Sequence, residues 1–272
     1  MRTPSGAYQE PPKEIDRIVE FGRTVEFRNN LLESDVIIYD LMSNAFEEVD
    51  YVIKTLKSSE LTKPKTLVLL SSVMTWVNTP PKFEEKAEGA EEDPADPEEE
   101  AEEEEPDSDE KPAEEEEGGA TGPVDEDGNP ITRAIPLYFK ESDCHLRVPH
   151  AKYEHLKTLE TLAMSSTNTQ PKLRVHVLCS GVRYGNGEKT LYDHFFKAWI
   201  QNPRQLSVIG EGSNLVPSIH VIDLARLVKR IVVDKPKEHP YIFAIDRTNR
   251  PTQKRLVKSI SKGIGTGLVQ CD

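Results

Sequence analysis

An α/β domain with a doubly wound, mostly parallel sheet is what this sequence predicts. Short apolar runs alternate with stretches of helical period from Leu31 to Lys262, the rhythm of β-α units feeding one sheet. The runs Val36-Ile-Ile-Tyr39, Thr66-Leu-Val-Leu-Leu70 and Arg174-Val-His-Val-Leu178 are apolar almost throughout, as are strands covered by helices on both faces. The block Val208 to Ala225 adds a Gly-x-Gly turn and an apolar strand ending in Asp223. The amphipathic spacing Leu224, Leu227, Val228 and Ile231 follows at once.

Taken in order, Leu31 and Leu32 end a helix before the strand Val36–Tyr39. Phe46, Val49, Val52, Ile53 and Leu56 recur at helical spacing, and Lys63-Pro64 stops that helix before the strand Thr66–Leu70, because the residue preceding proline avoids helical backbone. Tyr153, Leu156, Leu159, Leu162 and Ala163 form the next helical stripe, followed by the strand Arg174–Leu178. A helix from about Tyr192 to Ile200 and a strand from Leu206 to Ile209 follow. His220 to Val233 supplies a short strand and a helix, Tyr241 to Ile245 a strand, and Gln253 to Lys262 an amphipathic helix. No internal repeat is visible.

The hydrophobic share of 36% and mean hydropathy of −0.58 are low for a packed chain of 272 residues, so part of it is expected to stay unpacked. From Glu84 to Glu117 there are 21 Asp or Glu against Lys86 and Lys111, a segment charge of −19 in a chain whose total is −14. The remainder is therefore +5, mildly basic. A like-charge run with Pro94, Pro97, Pro106 and Pro112 and no aromatic after Phe83 cannot offset chain entropy by burial, and disorder is expected. Turn-forming residues from Gly118 to Pro130 extend the loop until Ile135. The organisation expected is thus 1–83, a long acidic insertion at 84–134, and 135–272. The insertion reads either as a lure for a basic partner or as a solvated loop tolerated at a few tenths to ~1 kcal/mol per doubling of length.

Cys144, Cys179 and Cys271 form an odd, scattered set, which suits a reducing cytoplasmic setting. Met1 to Ala7 lacks the apolar core of a signal peptide, and no window approaches the ~18 apolar residues of a membrane span. No membrane association is expected. Nucleic-acid binding is disfavoured by the small basic surplus, with Lys254, Arg255, Lys258 and Lys262 forming the polar face of the last helix.

The block Val208–Ala225 also resembles a segment of the extended short-chain dehydrogenases and NAD-dependent epimerases. Leu31–Leu41 with Leu67–Trp76, and Val175–Gly185, resemble the same family in the same order. The resemblance implies a Rossmann-like fold. Such a fold opens with a strand, a Gly-rich turn and a helix holding the pyrophosphate, with a ribose-gripping acid after the second strand. Neither the turn nor the acid is found. The strand Val36–Tyr39 aligns with the family's fourth, and residues 1–30 are too short and polar for the missing unit. The N-terminal β-α-β unit is thus incomplete or missing, either because the chain begins inside a longer protein or because the cofactor half is lost. No cofactor is expected to bind here beyond what a vestigial NAD(P) cleft would take.

By resemblance, the family polarises its substrate with a Ser or Thr after the fifth strand and uses a Tyr-x-x-x-Lys pair. The ammonium lowers the phenol pKa for proton exchange. Ser71 and Ser72 follow the fifth-strand equivalent, and Tyr153-Glu-His-Leu-Lys157 is a literal match, which makes Ser72, Tyr153 and Lys157 the candidate catalytic residues. Alternatives stay open: Tyr153 as a core residue, an alignment placing Tyr153 at the family's Lys and Pro149 at its Tyr, and a hydroxyl position nearer Val73. Where epimerases carry Arg-Asp for the nucleotide-sugar diphosphate, this chain has Val216-Pro217, and valine cannot replace a guanidinium fork. Asp223 and His220 are read as a helix N-cap and a packed imidazole. Gly263 to Gly267 reads as a helix C-terminal turn instead of a phosphate loop. Gly185-Asn-Gly187 lies, by resemblance, in a loop over the substrate. Cys144, His145, His150 and His155 lack zinc-site spacing, so no metal is expected.

The blocks Ser71–Trp76, Val216–Ala225 and Ile260–Gln270 are similar to the epimerase-like regions of ciliary adenylate kinases. This implies a non-catalytic scaffold or assembly module with axonemal partners in a cilium or flagellum, in a parent that converts ATP and AMP to two ADP at a kinase site outside this chain. The alternative is an active NAD(P)-dependent reductase or epimerase.

Overall fold

The computed structural model describes residues 13, 15–22, 24–87, 132–236, 240–248 and 251–271, in two compact units, 1–79 with 141–272, and 80–140. In chain order the elements are α1 (Val25–Glu33), β1 (Val36–Asp40), α2 (Phe46–Ser58), β2 (Lys65–Ser72), β3 (Lys82–Ala87), β4 (Thr132–Leu137) and α3 (Glu154–Ser166). Then come β5 (Leu173–Ser180), β6 (Val182–Tyr184), α4 (Tyr192–Ile200), β7 (Leu206–Val208), β8 (Ser218–His220), α5 (Val221–Asp234), β9 (Tyr241–Ala244), α6 (Gln253–Ile264) and β10 (Val269–Cys271).

The larger unit is organised by a four-stranded parallel sheet in the order β1-β2-β5-β9. Lys65 to Ser72 of β2 pair in register with Leu173 to Ser180 of β5, and both strands are buried along almost their whole length. Successive side chains point to opposite faces. On one face Val68, Leu178 and Ala244 meet Leu224 and Ile231 of α5 together with Ile219. α3 packs on β2 and β5, with α2 against it, so the sheet is wound on both faces as predicted. A fully buried Leu side chain of this kind contributes about 2 kcal/mol.

Two strand expectations need correction. β1 forms an edge instead of a strand covered on both faces, and Ile38 is half exposed. β6 with β8, and β7 with β10, form separate two-stranded parallel pairs beside the main sheet, and β7 stops at Val208, leaving Ile209 exposed. The apolar pattern reports burial, not which sheet a strand joins. The N-cap of α5 is His220, whose Nδ1 accepts from the Ile222 amide (3.2 Å). Asp223 instead sits in the first turn and pairs with Arg226 at 2.7 Å. The Gly263–Gly267 run ends α6 as expected: the Ser261 carbonyl accepts from the amides of Gly265 and Gly267.

In the smaller unit β3 and β4 form an antiparallel ladder from Lys82↔Leu137 to Ala87↔Thr132. The stretch 84–134 therefore begins and ends in paired strand where a loop was expected. Charge is balanced at these ends, where Lys82, Lys86 and Arg133 offset Glu84 and Glu85, and Thr132 and Ile135 favour extended backbone. Residues 88–131, with most of the acidic run, lie outside the described residues, as does the segment Met1–Ala7. No helix among the described residues is long and apolar enough to cross a membrane.

Candidate functional site

Ligands of open parallel sheets settle outside the carboxyl ends of the strands. There β2 delivers Ser71 and Ser72, β5 delivers Cys179 and Ser180, and β1 delivers Asp40. Ser71 is buried and its hydroxyl donates to Glu160 Oε1. Glu160 stands on the stripe of α3 that also carries Leu156, Leu159 and Ala163, so helical spacing puts a carboxylate in the core. It is balanced by Arg147, itself almost fully buried, whose Nε donates to Glu160 Oε2 at 2.8 Å. Arg147 Nη2 donates to Thr161 Oγ1 (3.1 Å), Nη1 donates to the Cys144 carbonyl, and the guanidinium lies 5.4 Å from the centroid of the Tyr241 ring.

Around this pair, Trp76 Nε1 donates to Tyr241 Oη at 2.8 Å, and Trp76, Tyr241 and Phe243 pack ring against ring. Burial pushes the Cys179 thiol up to about 12 and raises the Tyr241 phenol well above its ordinary range. Burial also drives the Glu160 carboxyl above the usual carboxylate range, against the pull of Arg147 and Ser71. The Cys179 thiol and the Tyr241 phenol therefore hold their protons at neutral pH.

The three residues singled out from sequence are each engaged separately. Ser72 Oγ accepts from the Met74 amide (3.3 Å), capping the 3-10 turn Val73–Thr75. Tyr153 is the N-cap residue of α3, its ring 6.2 Å from that of His150 and under the Lys152 ammonium at 5.5 Å. Lys157 Nζ donates to the Arg147 carbonyl at 2.7 Å. The 147–150 segment that Lys157 holds is also tied to the chain after β2. The Asn78 amide donates to the Val148 carbonyl (3.0 Å) and the His150 amide to the Met74 carbonyl (3.3 Å).

Nearer β1, the Asp40 carboxylate receives Arg183 Nη1 and Ser43 Oγ, each at 2.8 Å, and the Met42 amide at 3.0 Å. Tyr184 Oη donates to Asp246 Oδ2 (2.9 Å), and its ring meets His220 edge-on. The turn from β1 to α2 is thus organised around a carboxylate, where a pyrophosphate needs unopposed donors. Among the described residues no strand precedes β1.

No family model matches the chain. Over 243 residues, 88% of its length, it is 28% identical to adenylate kinase 7 of Mus musculus. The chain resembles adenylate kinase 7. Over 99 residues it is 36% identical to adenylate kinase 7 of Macaca fascicularis. The chain spans 31% of the first of these relatives and 18% of the second. Among solved structures it is similar to a UDP-N-acetylglucosamine 4-epimerase from Bacillus cereus, with TM-score 0.51, 12% identity, and 90% of this chain covered against 69% of that one. It is also similar to a dTDP-glucose 4,6-dehydratase from Bacillus anthracis, with TM-score 0.52, 13% identity, and 91% covered against 64%. At that identity the likeness is one of fold, and the fold alone does not set the activity. The stretch of chain similar to adenylate kinase 7 thus carries an epimerase-type Rossmann-like fold.

Sequence reading missed Arg147 and Glu160. The signal was there in Glu160, a carboxylate at i+4 from Leu156 inside an apolar stripe, which demands a buried cation. Nothing in the sequence singles out Arg147 as that cation.

Proposed function

We propose that this chain is a non-catalytic scaffold or assembly module built on an epimerase-type fold, within an adenylate kinase 7-type protein whose parent activity converts ATP and AMP to two ADP. The reading places it among axonemal proteins of a cilium or flagellum. The observation that carries it is the buried Ser71–Glu160–Arg147 network at the carboxyl end of β2 and β5. Charge that a catalyst would present to substrate is satisfied internally. Val216-Pro217, in place of the family's arginine-bearing pair, points the same way. Calorimetry with NAD(H) and NADP(H), on this chain and on the full-length protein, tests the reading. No heat of binding is expected at hundreds of micromolar, and micromolar affinity would sink it.

A second reading, an active NAD(P)-dependent reductase or epimerase, is favoured by one observation: Tyr153 and Lys157 stand at the start of α3, next to the segment after Ser72. It requires that Tyr153→Phe abolish turnover without unfolding the domain.

A further inference from the structure

α4, β7, α6 and β10 pack around a small core of Ala198, Leu206, Val208, Val257 and Ile260. The Gly265 backbone lies so near α4 that a Cβ there would sit 2.8 Å from the Ala198 carbonyl oxygen. Ala198 is the one buried residue of α4. The large side chains turn outward: Tyr192 is 57% exposed, Phe195 38%, Phe196 43%, Trp199 70% and Ile200 42%. Tyr192, Phe196 and Trp199 follow at i, i+4 and i+7 and make one ridge. The first two rings are stacked at 5.8 Å, and the third is 6.4 Å further on. At ~200 Å² per aromatic side chain, the four rings expose on the order of 400 Å². That is about half of one side of a stable protein interface, and Tyr, Phe and Trp are the residues enriched at interface centres.

The elements packed with α4 carry a basic excess. Residues 191–216 and 251–271 carry Lys197, Arg204, Lys254, Arg255, Lys258 and Lys262 against Asp193 and Glu211, and Lys258 and Lys262 are exposed on α6. A second copy of this chain would set these like charges against each other. A membrane-surface helix carries its cations on its own polar face, whereas α4 offers one Lys and one Asp. From the ridge and the exposed lysines of α6, the helix packed beside α4, we infer that α4 docks an acidic amphipathic helix of a partner protein, apolar side chains against Tyr192, Phe196 and Trp199 and carboxylates toward Lys258 and Lys262. The inference is independent of whether the far end of the sheet catalyses.

The probe is a fluorescein-labelled synthetic helical peptide with Leu at helical spacing and Glu on its flanks, read by anisotropy beside a counterpart with Lys for Glu. Micromolar binding of the Glu peptide is expected, weakening with salt, at least tenfold weaker in Phe196→Ala/Trp199→Ala, and reversed in preference by Lys258→Glu/Lys262→Glu. Absence of binding, equal binding of the two peptides, or indifference to either variant would overturn the inference. So would a dimer in sedimentation equilibrium that Trp199→Ala dissolves, or partition into anionic phosphatidylserine vesicles stronger than peptide binding.

Discussion

Removing Arg147 should cost more than any other single truncation near the end of the sheet. Glu160 is fully buried, and its Oε2 receives Arg147 Nε at 2.8 Å. Without that cation the carboxylate keeps the hydrogen bond from Ser71. Deleting one member of a buried pair costs about 3–5 kcal/mol because an uncompensated charge stays behind. A loss of ~4 kcal/mol is about a thousandfold in the folded-to-unfolded ratio, a large part of the 5–15 kcal/mol that holds ordinary domains. Arg147→Met and Glu160→Leu should each show this in urea unfolding. The double variant, which leaves the Ser71 and Thr161 hydroxyls and the Cys144 carbonyl short of a partner but no buried charge, should lose about 1–3 kcal/mol. The pH dependence gives a second signature. In Arg147→Met the Glu160 carboxyl, already raised by burial, rises further and keeps a proton in the folded state. The unfolded chain releases that proton above ~4.3. The variant's folded state then stays protonated over a pH range in which the parent's is already ionised, so its deficit grows as pH rises from the parent's folded pKa, by up to ~1.4 kcal/mol per pH unit, until the variant's own folded pKa is passed. Single variants within ~1 kcal/mol of the parent, or a double variant equal to their sum, would refute the idea of a coupled buried pair.

The Cys179 thiol is pushed up to about 12 by burial, so its ordinary value near 8.5 is regained only on unfolding. Stability should be flat below that pH and fall as pH rises toward 12. Cys179→Ala should flatten the part of the decline between about 8.5 and 10 in thermal melts across that range, and an unchanged slope would assign it to other groups. Gly181, between β5 and β6, approaches Pro217 so closely that a Cβ would lie 2.6 Å from its carbonyl oxygen. Gly181→Ala should therefore destabilise by about 1–3 kcal/mol through overpacking, and a urea midpoint equal to that of the parent would show that the β6–β8 pair yields.

The parallel sheet was legible because its strands announce themselves individually. Leu67 to Leu69 and Val175 to Leu178 are apolar at consecutive positions, and only strands covered on both faces need that. The span of α6 was legible from the amphipathic spacing that begins at Gln253 and from the glycines that close it, and the structure adds Thr252 as its cap, the hydroxyl accepting from the Arg255 amide. What escaped was assignment between sheets: Leu206 to Val208 has the pattern of a core strand, yet it pairs with β10, more than sixty residues away. The candidate site was legible only on one side. Ser72, Tyr153 and Lys157 were picked by resemblance and spacing, and neither shows that the Ser72 hydroxyl caps its own turn or that Lys157 donates to a backbone carbonyl. The partner of Glu160 is set by tertiary packing, which brings the segment before α3 over the end of β2.

That placement bears on why the fold carries so much internal polarity. In an epimerase-type sheet the strand ends are where ligand is met, and an apolar plug would close the cleft more cheaply than an ion pair, whose desolvation often cancels its attraction. Arg147 does something a plug does not. Through Cys144 it holds the 3-10 turn Glu141–Leu146, through Thr161 and Glu160 it holds α3, and its own carbonyl accepts Lys157. One guanidinium therefore fixes where the chain re-enters the larger unit after residues 80–140. Three directed bonds in a fixed fork specify that geometry in a way that methyl groups cannot. Arg147→Lys separates the two roles: it keeps the charge beside Glu160 but loses the fork. If the arginine serves geometry, Arg147→Lys should retain much of the stability that Arg147→Met loses while amide exchange speeds up across Glu141–Pro149. Exchange unchanged in that segment would return Arg147 to the role of a counter-ion.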